Sequence, residues 1–140
     1  MKERYFLDTN IFLYIFDPNA PHKTAIAKSL IRTAIATQKG VVSFQVVQEF
    51  FNVALKRIAQ PMLPDDARVY LDSVFAPLLA VHSSATLYSE ALRMYAVGGL
   101  SWYDSLIVTA ALQAKCSVLY SEDMQHGRTF GTLRIENPFL

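Results

Sequence analysis

The chain has 140 residues, 52% of them hydrophobic and 18% charged, with a formal charge of +1 at neutral pH. That size and apolar content suit one ordinary domain with its own core, so residues 1–140 are expected to form one domain, and disorder is not expected. The near-neutral balance argues against a passive polyanion binder, the apolar runs are too short for a membrane span of roughly 18–20 residues, and the single cysteine, Cys116, excludes an intramolecular disulfide and a Cys-rich zinc cluster.

A reducing cytoplasm is the compartment this cysteine usage suggests. The first residues are basic and then apolar, as in a signal peptide, but Asp8 interrupts the apolar stretch and no small-residue cleavage site follows. The spare apolarity points to a buried interface, either an oligomer or a tight partner.

In chain order, Arg4 to Asp8 reads as a short buried strand ending on an acid, and Thr9 or Asn10 is placed to cap a helix through Phe16. Asp17-Pro18-Asn19 is a turn signal. Pro21 opens a helix to about Gln38, with Ile26, Leu30, Ile31 and Ala34 on one face, and Gly40 is placed to close it. Val41 to Ser43 is a second strand, and a long helix follows from about Gln45 to Ala59. Pro64 with Asp65 and Asp66 opens a further helix, the acids complementing its dipole. Leu78 to Val81 reads as a strand, and Ser84 opens a helix that Gly98-Gly99 stops near Val97. A helix from Ser101 to Lys115, a strand from Ser117 to Tyr120 and a last strand near Leu133 to Ile135 complete the chain. Short apolar strands alternating with longer helices predict an α/β fold with a parallel sheet covered on both faces.

In open parallel sheets the chemistry sits beyond the C-terminal strand ends. That rule selects Asp8 and Asp123, although each also suits a turn or cap, and Glu122 competes with Asp123. Asp104 stands three residues after Ser101, the spacing of a capping box, which equally places it one turn into a helix near the sheet edge. Glu49 falls on a helical wheel beside Gln45, Asn52 and Lys56, at the edge of the polar arc, where a solvated residue and a cleft residue look alike. Four acids at one sheet edge would repel unless protons or cations neutralise them, and no Lys or Arg adjoins Asp8, Glu49 or Asp104 in sequence. A hard divalent ion, Mg²⁺ or Mn²⁺, suits a carboxylate-only set.

Asp8-Thr9-Asn10-Ile11, Gln48-Glu49-Phe50, Tyr103-Asp104-Ser105-Leu106 and Ser121-Glu122-Asp123-Met124, in this order and spacing, resemble the motifs of PIN domains. With the tail Gln125-His126-Gly127 and Ile135-Glu136-Asn137-Pro138-Phe139, the chain is more narrowly similar to VapC-type toxins of toxin–antitoxin pairs. The resemblance implies a three-layer α/β/α fold with a central parallel sheet and Mg²⁺-dependent endoribonuclease activity. It places catalytic and metal-holding acids at Asp8, Glu49, Asp104 and Asp123, with Asp8 and Asp104 as the main ligands, and supporting hydroxyls at Thr9 and Ser121. It also implies a homodimer and a VapB-type antitoxin whose tail covers the acidic cleft. In-line attack by an activated water would leave a 5′-phosphate and a 3′-hydroxyl. Lys23, Arg93, Lys115 and Arg128 are candidates for RNA phosphate contacts, each with solvated surface charge as the alternative.

Rival chemistries lack their residues. An aspartyl-phosphate enzyme wants a second Asp two residues after the first, where this chain has Asn10. His22, His82 and His126 sit in no nucleophile elbow, and no Gly-rich phosphate loop is present. The remaining alternative is a non-catalytic nucleic-acid or protein-interaction module on the same fold.

Overall fold

A computed structural model describes residues 3–140. Strand β1 (Arg4–Leu7) leads into helix α1 (Thr9–Leu13), and a 3₁₀ turn extends α1 to Phe16. The cap of α1 is Asp8 itself, whose carboxylate accepts from the Thr9 N–H, in place of the expected Thr9 or Asn10. The chain leaves the strand one residue earlier than the pattern suggested, so the strand-end acid and the helix cap coincide. Asp17 accepts from the Asn19 N–H at 2.9 Å, closing the expected turn.

Helix α2 (Pro21–Thr37) ends on Gln38 in the left-handed region, not on Gly40. Gly40 instead begins strand β2 (Gly40–Ser43), where a Cβ would lie 2.2 Å from the Ala34 Cβ. Its role is close packing of α2 on the sheet. Helix α3 (Phe44–Ala54) is five residues shorter than expected at its C-terminus, because the Ala54 carbonyl accepts from the Met62 N–H and the intervening residues turn. Helix α4 (Pro64–Tyr70) runs through a π-helical turn into the short α5 (Ala76–Leu78) and strand β3 (Leu79–Val81).

Helix α6 (Ala85–Gly98) is capped by the Ser84 hydroxyl and closed by Gly99 at φ 68°. Helix α7 (Trp102–Gln113) follows Ser101, its N-cap, and every residue from Ser105 to Ala111 is buried. A helix buried all round lies in the interior rather than on a surface. Strand β4 (Cys116–Tyr120), a two-residue strand β5 (Thr129–Phe130) that the sequence did not signal, and β6 (Leu133–Glu136) complete the fold.

The six strands lie in the order β3-β2-β1-β4-β6-β5, all parallel except β5. Helices flank the sheet, as an α/β fold requires, and Phe6, Leu7, Val41, Val42, Leu119 and Ile135 are buried along it. Phe12, Phe16, Phe50, Phe51, Tyr70 and Phe75 form an aromatic cluster beside the sheet, with Phe50 and Tyr70 stacked at 5.2 Å. Each fully buried Phe contributes about 1.5–3 kcal/mol of apolar burial. From β1 the chain runs outward through β2 and β3 on one side, then returns to place β4 on the other. The strand order therefore reverses at the β1/β4 pair, and a crevice opens beyond the C-terminal ends of those two strands. Among the described residues no helix is long and apolar enough to cross a membrane.

Candidate active site

Leu7 and Tyr120 are partners in the β1/β4 register, so Asp8 and Ser121 emerge side by side at the reversal point. The Ser121 hydroxyl donates to Asp8 Oδ2 at 2.9 Å, and the Thr9 N–H donates to Asp8 Oδ1 at 2.8 Å. Burial pushes the Asp8 carboxyl up to about 6; the charges of Glu49 and Asp123 add to that, and the two hydrogen bonds oppose it.

Glu49 is half-buried on α3 and faces the same crevice. Its Oε1 accepts from the Thr9 hydroxyl at 2.7 Å, and its Oε2 from Gln45 Nε2 at 3.3 Å. The expected polar arc is therefore divided: Asn52 is exposed, as is Lys56 beyond the end of α3, whereas Gln45 is 4% exposed and sits beneath Glu49. Asp104 lies in the first turn of α7, where its N–H donates to the Ser101 hydroxyl. Burial raises its carboxyl too, Ser101 opposing and Asp123 and Glu49 adding. Ser101 thus supplies the hydroxyl half of the capping box, and Asp104 is close enough to Asp123 and Glu49 to feel their charge.

Asp123 and Glu122 are separated by the structure. Asp123 is exposed, accepts from Asn10 Nδ2 at 2.8 Å, and acts electrostatically on both Asp8 and Asp104. Glu122 turns away from the cluster, paired with Lys23 and accepting from the Tyr14 hydroxyl. Burial acts to raise the Glu122 carboxyl, but those two partners outweigh it and hold the group low. Asn10 and Gln45 are the two contacts that sequence reasoning did not assign. Gln45 was findable, because it stands one helical turn before Glu49. Asn10 was not, because its partner is 113 residues away.

The structure does not gather the four basic candidates around the acids. Lys115 precedes β4, at the end of the sheet opposite the one Asp8 follows. Arg128 donates to the Gly98 carbonyl and covers the Phe130 ring at 4.5 Å. Arg93 pairs with Glu90 along α6. Lys23 lies nearby but is committed to Glu122 and to the Tyr14 and Phe139 rings. No ion pair among the described residues includes Asp8, Glu49, Asp104 or Asp123.

A surplus of coupled negative charge without a basic partner calls for protons or cations. The donors are all oxygen, and Cys116 is buried at the start of β4, at the far end of the strand. This chemistry fits a hard divalent ion rather than zinc. Among the described residues no three His, Cys, Asp or Glu side chains already converge to hold one ion. Asp8, Glu49 and Asp123 are instead each held by hydroxyl or amide partners.

Known structures share this fold. VapC20 of Mycobacterium tuberculosis, described as a sarcin-ricin loop cleaving toxin, superposes with a TM-score of 0.61 at 17% identity, over 85% of this chain and 89% of that one. FitAcB of Neisseria gonorrhoeae gives 0.62 at 19%, over 96% and 98%. VapBC2 of Rickettsia felis, bound to a DNA fragment from their promoter, gives 0.61 at 18%, over 94% and 96%. At such identities the likeness is one of fold. A comparison with curated protein sequences gives no significant match. The PIN domain family model matches residues 5–129, a span that takes in Asp8, Glu49, Asp104 and Asp123 alike, and the chain belongs to that family.

Proposed function

We propose that the chain is a divalent-metal-dependent endoribonuclease and the toxin of a toxin–antitoxin pair. The observation that carries this reading is the electrostatic coupling of four carboxylates from four separate segments at the sheet's reversal point, none of them in an ion pair among the described residues. Asp8 and Asp104 would hold Mg²⁺ or Mn²⁺, with Glu49 and Asp123 completing the set. When bound, such an ion supplies positive charge at the scissile phosphate and acidifies a water.

The chain's own residues prepare that site. Ser121 and the Thr9 N–H fix both Asp8 oxygens, the Thr9 hydroxyl fixes Glu49, and Asn10 fixes Asp123. Asp8, with its carboxyl pushed up to about 6 by burial, is mostly ionised at neutral pH, the state in which it would hold a cation. The exposure of Asp123 leaves the crevice open to an internal phosphodiester of a polymer, which suits endonucleolytic cleavage. RNA is favoured by the motif resemblance and by the fold shared with VapC20.

A groove lined by Leu13, Tyr14, Phe16, Pro18 and Ile58 begins at Asn10 and would lodge an antitoxin segment covering the acids. Tyr88, Leu92 and Tyr95 form an exposed stripe on α6 that suits a second copy in a homodimer. A cytoplasmic setting agrees with a lone buried thiol.

The test is RNA cleavage by purified protein with Mg²⁺ or Mn²⁺ and its loss in chelator. Asp104→Asn is expected to cost about 100-fold or more in kcat while the protein stays folded. Intact RNA under all metal conditions would instead support the non-catalytic interaction module, and a fully active Asp104→Asn enzyme would place the site elsewhere.

A further inference from the structure

We infer that Gln45 is a positioning residue, which sets the place of the Glu49 carboxylate by tying α3 to the first turn of α7; this rests on the nuclease reading above. Gln45 is almost fully buried, yet it spends both hydrogens of one amide nitrogen on the site. Nε2 donates to Glu49 Oε2 at 3.3 Å and to the Tyr103 carbonyl at 3.2 Å, across 58 residues of chain. Tyr103 immediately precedes Asp104, so one side chain spans two of the four acids.

The other Glu49 oxygen accepts from Thr9, the neighbour of Asp8. Glu49 is thereby fixed between the segments that carry Asp8 and Asp104, one bond to each side. The amide's orientation is determined as well. Its Oε1 is buried without a partner, and exchanging O and N would set that oxygen against a carboxylate and a carbonyl, two acceptors. An apolar side chain would fill this buried place without leaving an orphan acceptor, so the amide is costly there as packing alone. Its two donated bonds supply the reason for keeping it.

Gln45→Met keeps the length and removes both donors. Mn²⁺ affinity, read from the electron paramagnetic resonance of the free ion with the full chain, is expected to fall about 10- to 100-fold. The kcat for a model RNA should fall by a similar factor with KM unchanged. Glu49→Gln should then cost much less in the Gln45→Met background than in wild type, since the tether is already lost. Wild-type Mn²⁺ affinity and kcat in a folded Gln45→Met protein, or full additivity of the two substitutions, would overturn the inference. Should Gln45→Met not fold, the side-chain amide signals of Gln45 decide in the otherwise wild-type protein: they must move on Glu49→Gln, and unmoved signals overturn it. A wild-type protein that neither binds Mn²⁺ nor cleaves RNA would instead overturn the nuclease reading.

Discussion

Asp8→Asn is expected to inactivate the protein and to stabilise it. Burial lifts the Asp8 carboxyl from its ordinary value near 3.8 to about 6. The folded chain therefore holds this proton more tightly than the unfolded chain, and stability falls as pH rises through that interval. The contribution is fully present below about pH 4 and is lost by about pH 7, where keeping Asp8 ionised costs about 3 kcal/mol. Asparagine carries no charge to desolvate. Its Oδ1 can still accept from the Thr9 N–H, and the Ser121 hydroxyl can turn to accept from its Nδ2, so little hydrogen bonding is forfeited. Allowing for imperfect replacement, the metal-free variant should be about 1–3 kcal/mol more stable at pH 7.5, a rise of roughly 3–10 °C in Tm. Urea denaturation in chelator at pH 7.5 and pH 4.5 reads this directly, and the gap between the two proteins should narrow to about a third at the lower pH. Saturating Mn²⁺ should cancel or reverse the gap, adding about 2.7 kcal/mol to wild type at 100 times Kd and little to the variant. A variant less stable than wild type at pH 7.5, or a gap that ignores pH, would refute the reasoning.

Two further expectations concern packing and charge. Gly40→Ala places a methyl 2.2 Å from the Ala34 Cβ and should cost about 1–3 kcal/mol by the shift it forces between α2 and β2; a neutral result in urea melts would mean that the two elements have room to part. Lys115→Gln should leave kcat/KM for RNA within about twofold, because Lys115 lies at the opposite sheet end from the acids; a tenfold loss would show that the substrate reaches around the molecule.

The elements were legible because their signals are local. Ser84 and Ser101 cap the helices they precede, and Pro21 and Pro64 open theirs, since a cap or a fixed φ acts within one turn of the residue that supplies it. Misplaced boundaries fell where a neighbour distant in sequence overrode such a signal. Gly40 reads as a helix stop, yet it is glycine because Ala34 presses on the strand. The three-residue spacing of Ser101 and Asp104 was visible, but spacing alone left capping and site membership as open alternatives.

The sequence by itself determined an alternating α/β chain, two acids at strand ends, and an ordered set of motifs resembling the PIN family. Only the tertiary structure decided which strands adjoin, and with that where the strand order reverses and a crevice opens. It also decided that Glu122 pairs with Lys23 while Asp123 joins the acids, and that Gln45 is a buried tether rather than part of a solvated arc. Hydrophobic period and capping are written within a few residues. The electrostatics of four carboxylates depend on distances between segments about 40, 55 and 20 residues apart, which strand pairing alone brings together.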